Sequence, residues 1–235
     1  MAGGFSLYKN KIEEFNKFCD YKILELDNDI LTKKTQKYLF QLSSGKLIES
    51  VLMKEDKRVT ACLSTQVGCA VDCDFCATAK MGFVQNLTSG EILDQYLHLQ
   101  KISKHRITNI VFMGMGEPLL NVENVLSSID LMLHQNAYGL SKRRITLSTS
   151  GIVPEINKLA ERTDVSLAIS LHAANNILRD EIVPINKKYP LNDLLDACKQ
   201  YLKNQSKRKT ITIEYILIDG INDSIEHALL SLIHI

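Results

Sequence analysis

The chain has 235 residues, 45% of them apolar and 23% charged, and 28 Lys and Arg against 27 Asp and Glu leave a formal net charge of +1. That length suits one large α/β domain or two small ones. No apolar run reaches bilayer-spanning length, and the start Met1-Ala2-Gly3-Gly4-Phe5 has no basic-then-apolar signal architecture, so a cytoplasmic protein with no membrane partner is expected.

Along the chain, short apolar runs alternate with longer amphipathic stretches, the rhythm of βα units and a parallel sheet. Strands are predicted at 59–64, 109–113, 144–148, 166–170 and 210–217. Helices are predicted from Ser89 through Leu99, at 122–133, at 153–160 and at 191–202, with Gly139, Gly151 and Gly220 at the joins. The strands alternate in character: Val59, Ala61 and Leu63 share one phase, and Thr60, Cys62 and Ser64 share the other. The runs 144–148, 166–170 and 210–214 repeat this pattern. Side chains on a strand point to opposite faces with period two, whereas fully buried parallel strands read as continuous apolar runs. A barrel with helices outside and a partly open, polar lumen reconciles the two. The motifs then gather after the strands' C-terminal ends, where such a barrel carries its active site: three cysteines after the first strand, Gly114-Met115-Gly116-Glu117-Pro118 after the second, Ser148-Thr149-Ser150-Gly151 after the third, and Ser170-Leu171-His172-Ala173 after the fourth.

The most specific motif is Gly68-Cys69-Ala70-Val71-Asp72-Cys73-Asp74-Phe75-Cys76. Six cysteines in a reducing compartment favour metal ligands or catalytic thiols over a disulfide framework. Iron–sulfur clusters and structural zinc each take four protein ligands, and this run supplies three. A zinc knuckle would need a fourth, and the nearest, Cys62, falls in the lumen phase. A cluster with three thiolates leaves one iron open for a cofactor or substrate, and Phe75 would shield one side. This spacing resembles the signature of radical S-adenosylmethionine (SAM) enzymes, in which SAM occupies the open iron. Gly114 and Gly116 would let a ligand approach the backbone, and Glu117 could accept from SAM's ammonium group or simply cap an ordinary βα turn. Ser148 and Ser170 could hold SAM's hydroxyls or carboxylate, or be turn residues, and His172 could face a ligand or be a satisfied loop histidine. Cys62 reads as a small buried hydrophobe, Cys19 and Cys198 as structural, and Glu49 as a strand residue whose side is undecided. Arg143-Arg144, Lys187-Lys188 and the run from Lys203 to Lys209 are local basic groups, each read first as a solvated face.

Several further stretches, from Lys46–Met53 to Asp219–Ser224, extend the likeness. They include Cys62-Leu-Ser-Thr-Gln-Val-Gly-Cys69, Cys76-Ala-Thr-Ala-Lys-Met-Gly-Phe83, Arg144-Ile-Thr-Leu-Ser-Thr-Ser-Gly151 and Pro184-Ile-Asn-Lys-Lys-Tyr-Pro190. Together they resemble the radical SAM RNA methyltransferases that methylate C2 of adenosine. That resemblance implies a partial (β/α)6 barrel, here ending after about the fifth strand. It implies a [4Fe-4S] cluster on Cys69, Cys73 and Cys76, and SAM contacts at Gly116, Glu117, Ser148, Ser170, Leu171 and His172. It makes Glu49 a proton acceptor and Cys62 a thiol that resolves a protein–RNA adduct through a transient disulfide, the methyl group having passed through a second cysteine near the family's C-terminus. The implied partners are ribosomal RNA, transfer RNA and a flavodoxin- or ferredoxin-type electron donor, with the enzyme a monomer.

The expected organisation is a remnant of an N-terminal helical region and lead-in over 1–45, its helical end near 7–26, then a barrel core over 46–229. Residues 230–235 are expected to be a non-native tail, since Leu230-Ser231-Leu232-Ile233-His234-Ile235 reads as translated sequencing adapter. The methyl-carrying cysteine would lie beyond that point, so the fragment is expected to be inactive alone. The alternatives are an adenosine-C8 methyltransferase and a zinc-stabilised RNA-binding module without catalysis.

Overall fold

The computed structural model describes residues 22–25, 34–203, 205 and 210–234. Two antiparallel strands, β1 (Lys22–Glu25) and β2 (Thr35–Gln41), lead into β3 (Leu47–Lys54), which turns back into β4 (Val59–Cys62). A small hairpin follows, β5 (Gln66–Gly68) with β6 (Phe83–Asn86), and between its arms lie the three-cysteine loop and a single helical turn, α1 (Ala77–Lys80). Then come α2 (Ser89–Ile102), β7 (Asn109–Phe112), α3 (Val122–Leu133), β8 (Ile145–Thr149), α4 (Val153–Arg162), β9 (Ser166–Ser170), α5 (Asn176–Ile182), α6 (Leu191–Lys203), β10 (Thr212–Glu214) and α7 (Ile225–His234).

The main sheet runs β1-β2-β3-β4-β7-β8-β9-β10. From β4 onward every pairing is parallel, with helical crossovers. The five expected barrel strands are these five. The helical expectation over 7–26 falls outside the described residues except at Lys22–Glu25, which pairs with β2 as a strand. The basic run from Lys203 to Lys209 and Cys19 also fall mostly or wholly outside them. The helix predicted to begin at Ser89 is capped one residue earlier. Thr88 Oγ1 accepts from the Glu91 N–H and the Glu91 carboxylate accepts from the Thr88 N–H, the reciprocal pair that a Thr-x-x-Glu sequence makes possible.

The outward phase of the parallel strands is the core. Ala61, Ile110, Phe112, Ile145, Leu147, Leu167 and Ile169 are essentially inaccessible, packed with Ile92, Leu99, Val125, Ile129, Ile156 and Leu159 from the crossover helices. Burying an aliphatic side chain of this size contributes about 1.5–3 kcal/mol. The other phase faces inward, so the same strands that stabilise the fold present Cys62, Ser148, Ser170 and Glu214 to the lumen.

Candidate active site

The rim begins with a set of polar side chains that fix the segment leading into the cysteine loop. Gln95 of α2 is wholly buried, accepts from Ser50 Oγ (2.7 Å) and the Ser64 N–H (2.8 Å), and donates to the Ser64 carbonyl (2.9 Å). Ser64 Oγ donates to the Glu49 carbonyl (2.5 Å) and accepts from the Met115 N–H (2.8 Å). Asn121 donates to the carbonyls of Thr65 (2.8 Å) and Leu87 (2.7 Å), and Gln66 accepts from the Glu117 N–H (2.8 Å). Buried polar groups cost free energy unless paired, and here each pairing joins two separate segments of the chain.

Two glycines are dictated by this close packing. Gly68 has φ +74° and a Cβ there would strike the Gly82 carbonyl; Gly116 has φ +93° and a Cβ would strike Gln66. Space for a ligand was the expected reason for Gly116. Gln66 packs where a Cβ would stand, while Gly116 still lines the cavity beside it.

Beside this rim lies a cavity of about 230 Å³. Its walls carry Cys69, Cys73, Phe75 and Cys76 from the loop, Gly114, Gly116 and Glu117 after β7, Ser148 to Ser150 at the end of β8, Ser170 and His172 at the end of β9, and Glu214 at the end of β10. Eight of the eleven residues singled out from sequence therefore share one cavity. Leu171 is buried behind it, its N–H donating to the Glu214 carbonyl (2.9 Å). Cys62 is buried on the same sheet face, opposite Val51 and Val111, close enough to Glu214 to feel its charge. Glu49 stands apart, half-exposed on β3 and ion-paired to Lys37 (2.9 Å). Cys198 is buried in α6, as its structural reading required.

All three loop cysteines are unbridged. Burial, and then the neighbouring sulfurs of Cys69 and Cys76, push the Cys73 thiol up to about 12, and burial raises Cys69 as well. Such thiols are neutral at physiological pH and are poor nucleophiles; a bound metal is what makes buried cysteines thiolates. Among the described residues, no three His, Cys, Asp or Glu side chains converge as ligands of one metal ion. Three thiols on one cavity wall are the number that binds three irons of a cluster and leaves the fourth open, whereas structural zinc takes four protein ligands. The donor set therefore fits a [4Fe-4S] cluster.

Glu117 is wholly buried, and its carboxylate accepts from the Leu119 N–H (3.0 Å), the Ser150 N–H (2.8 Å) and Ser150 Oγ (2.7 Å). Burial raises its pKa, and those hydrogen bonds oppose the rise. Glu117, which the Thr149 side chain also meets, therefore ties the loops after β7 and β8 together. His172 has φ +58°, uncommon for a residue with a side chain, and its ring packs edge-on against Phe75, centroids 4.7 Å apart. Nδ1 accepts from the Ile216 N–H (3.1 Å). Burial, and then the charge of Arg179, lower its pKa to about 4, so it is neutral near pH 7 with its proton on Nε2, a fixed donor.

Glu214 was not assigned a role from sequence, although it ends the polar phase Thr210, Thr212, Glu214. Its carboxylate accepts from Ser148 Oγ (2.7 Å) and Ser170 Oγ (3.1 Å), joining three strand ends across the lumen.

A half-open parallel barrel with three thiols and a ring of hydrogen-bonding groups at the strands' C-terminal rim is the architecture of a cofactor-dependent α/β enzyme. Residues 63–232 match the Radical SAM superfamily, and the chain belongs to that superfamily, which brings a [4Fe-4S] cluster and SAM as its cofactors. The chain is 49% identical over 225 residues to the dual-specificity RNA methyltransferase RlmN of Marinomonas sp. (strain MWYL1), covering 92% of this chain and 61% of that protein. It is 52% identical over 202 residues to the protein of the same name from Saccharophagus degradans, covering 83% and 51%. Thus the chain spans between half and two-thirds of the length of these curated relatives. A crystal structure of a radical SAM methyltransferase from Sphaerobacter thermophilus superposes with a TM-score of 0.85 at 38% identity, covering 96% of this chain and 67% of that one.

Proposed function

We propose that this chain is the catalytic core of a radical SAM RNA methyltransferase that methylates C2 of adenosine in ribosomal and transfer RNA through a methyl-cysteine intermediate. The observation that carries the reading is the single cavity shared by Cys69, Cys73 and Cys76 with Glu117, Ser148, Ser170 and His172. The RNA substrate is inferred from the relatives named as RNA methyltransferases at about half identity.

In this reading the three cysteines hold the cluster's irons, and the cluster with SAM supplies radical chemistry by one-electron cleavage. Ser148, Ser170 and His172 Nε2 would supply hydrogen-bonding groups to hold SAM, and the buried Glu117 carboxylate would offer its negative charge to the ammonium group. The backbone of Gly116 and Leu171 completes the wall. Phe75 and the buried rim exclude water. Cys62 is the resolving thiol; burial holds it protonated, up to about 11, so it stays unreactive until a base takes its proton. Glu49 serves as the proton acceptor, and it would have to leave Lys37 to do so; an exposed pair of this kind contributes about 0–1 kcal/mol. A flavodoxin- or ferredoxin-type protein delivers the electron to a cytoplasmic monomer.

The test is mass mapping of RNA from a host lacking its own enzyme and supplied with the complete gene. Methyl at C2 of adenosine supports the reading; methyl at C8, or none with a cluster present, contradicts it.

A further inference from the structure

Arg179 is among the largest fully buried side chains of the protein. Its guanidinium spends four of its five N–H groups on neutral acceptors. Nε donates to the Leu171 carbonyl (2.9 Å), one terminal nitrogen to Asn186 Oδ1 (2.9 Å), and the other to the carbonyls of Ser150 (2.7 Å) and Ser170 (3.0 Å). No carboxylate lies within ion-pair distance of it among the described residues. Burial lowers its pKa to about 10, which still leaves it charged at neutral pH.

Burying a cation without a direct ion pair costs free energy, which the carbonyl dipoles and the charge of Asp180, bonded to Asn186, offset in part. Structure alone does not call for a cation here, because a neutral donor could tie loops together. The position of Arg179 is informative. It sits on α5, whose last residue, Ile182, accepts from the Asp74 N–H through its carbonyl (3.0 Å). Ile182 and Val183 pack with Cys73 and Phe75. The guanidinium and the Cys73 sulfur are near enough to influence one another electrostatically. Behind the ring of strand-end groups, the wall of the cavity thus carries a buried positive charge next to the thiols that would bind the cluster, with the carboxylate of Asp180 near it and held through Asn186 rather than by a direct ion pair.

We propose that Arg179 is a positioning residue that also sets the cluster's reduction potential, its buried charge lying in the wall beside Cys73. The inference rests on the cluster, not on the RNA substrate. Reduction of the 2+ cluster to 1+ takes up one electron from a low-potential donor, with no bond made or broken, and the site becomes more negative by one charge. A fixed cation in a low-dielectric wall favours that state.

The experiment is an anaerobic redox titration with dithionite, followed by electron paramagnetic resonance, on the chain reconstituted with iron and sulfide. Wild type, Arg179→Gln and Arg179→Lys are compared, with iron and sulfide content and apo-protein Tm measured alongside. Arg179→Gln should make reduction about tenfold less favourable, 59 mV for one electron, at unchanged iron content. Arg179→Lys keeps the charge while losing the fork, so its potential should stay within about twofold of wild type although its Tm falls. An Arg179→Gln potential equal to wild type overturns the proposal. So does a Lys variant whose potential drops as far as the Gln variant's, since that is what a purely structural clamp gives. If Arg179→Gln does not fold, the Lys variant carries the test alone: a wild-type potential with lowered Tm supports the proposal, and a shifted potential overturns it. A wild-type chain that takes up no iron and sulfide overturns the functional reading and this inference together.

Discussion

The two faces of the same parallel strands have opposite jobs. Ile110, Leu147, Leu167 and Ile169 point out, are inaccessible to solvent and hold the helices on. One residue along, Cys62, Ser148, Ser170 and Glu214 point in, three of them linked by hydrogen bonds across the lumen. The outer face offers nothing to a ligand, and the inner face contributes little apolar burial. Because strand side chains alternate strictly, one backbone can carry stability and chemistry independently, and substitutions should separate them.

The sharpest separation is at the loop that the strands support. Cys73→Ala should abolish iron and sulfide incorporation, measured by metal and sulfide analysis, while far-UV circular dichroism of the apo protein stays as in wild type. On the outer face, Leu147→Ala should cost about 2–5 kcal/mol in urea unfolding, with SAM affinity of the folded fraction within about twofold of wild type. A large loss of affinity there would break the division between faces.

His172, on the cavity wall, makes stability depend on pH. Its ordinary value near 6.5 falls to about 4 in the fold, so between those values the unfolded chain binds a proton that the folded chain does not. Its contribution is full above pH 6.5 and is lost as pH falls toward 4, up to about 3 kcal/mol. Urea unfolding of the apo protein at pH 7 and pH 5 should show a decline that His172→Gln reduces. The smallest effect on stability belongs to the inner face. Ser148→Ala removes one hydroxyl bonded to Glu214 and should cost about 1 kcal/mol or less, yet weaken SAM binding roughly tenfold by isothermal titration.

The parallel strands and their inward phase were legible because alternation is a local signal, and the three cysteines because their spacing is. The antiparallel strands β2 and β3 were not. In β3 the core phase is Ile48, Ser50, Leu52, and Ser50 interrupts the apolar pattern; it is buried because Gln95, 45 residues away, accepts from its hydroxyl. Gln66, Gln95 and Asn121 were passed over for the same reason, since their partners lie on other elements. Arg179 drew no reading from sequence, because its four acceptors come from separate loops that only the fold brings around it. Glu117 was assigned to SAM and proved to be engaged already by Ser150 and Leu119.

The central claim is an open iron beside a SAM-binding rim, and one spectrum addresses it. After anaerobic reconstitution and reduction, the electron paramagnetic resonance signal of the chain should be that of a [4Fe-4S] cluster, and it should change in shape and position when SAM is added. A cluster signal indifferent to SAM, or a protein that retains zinc without sulfide, would contradict the account.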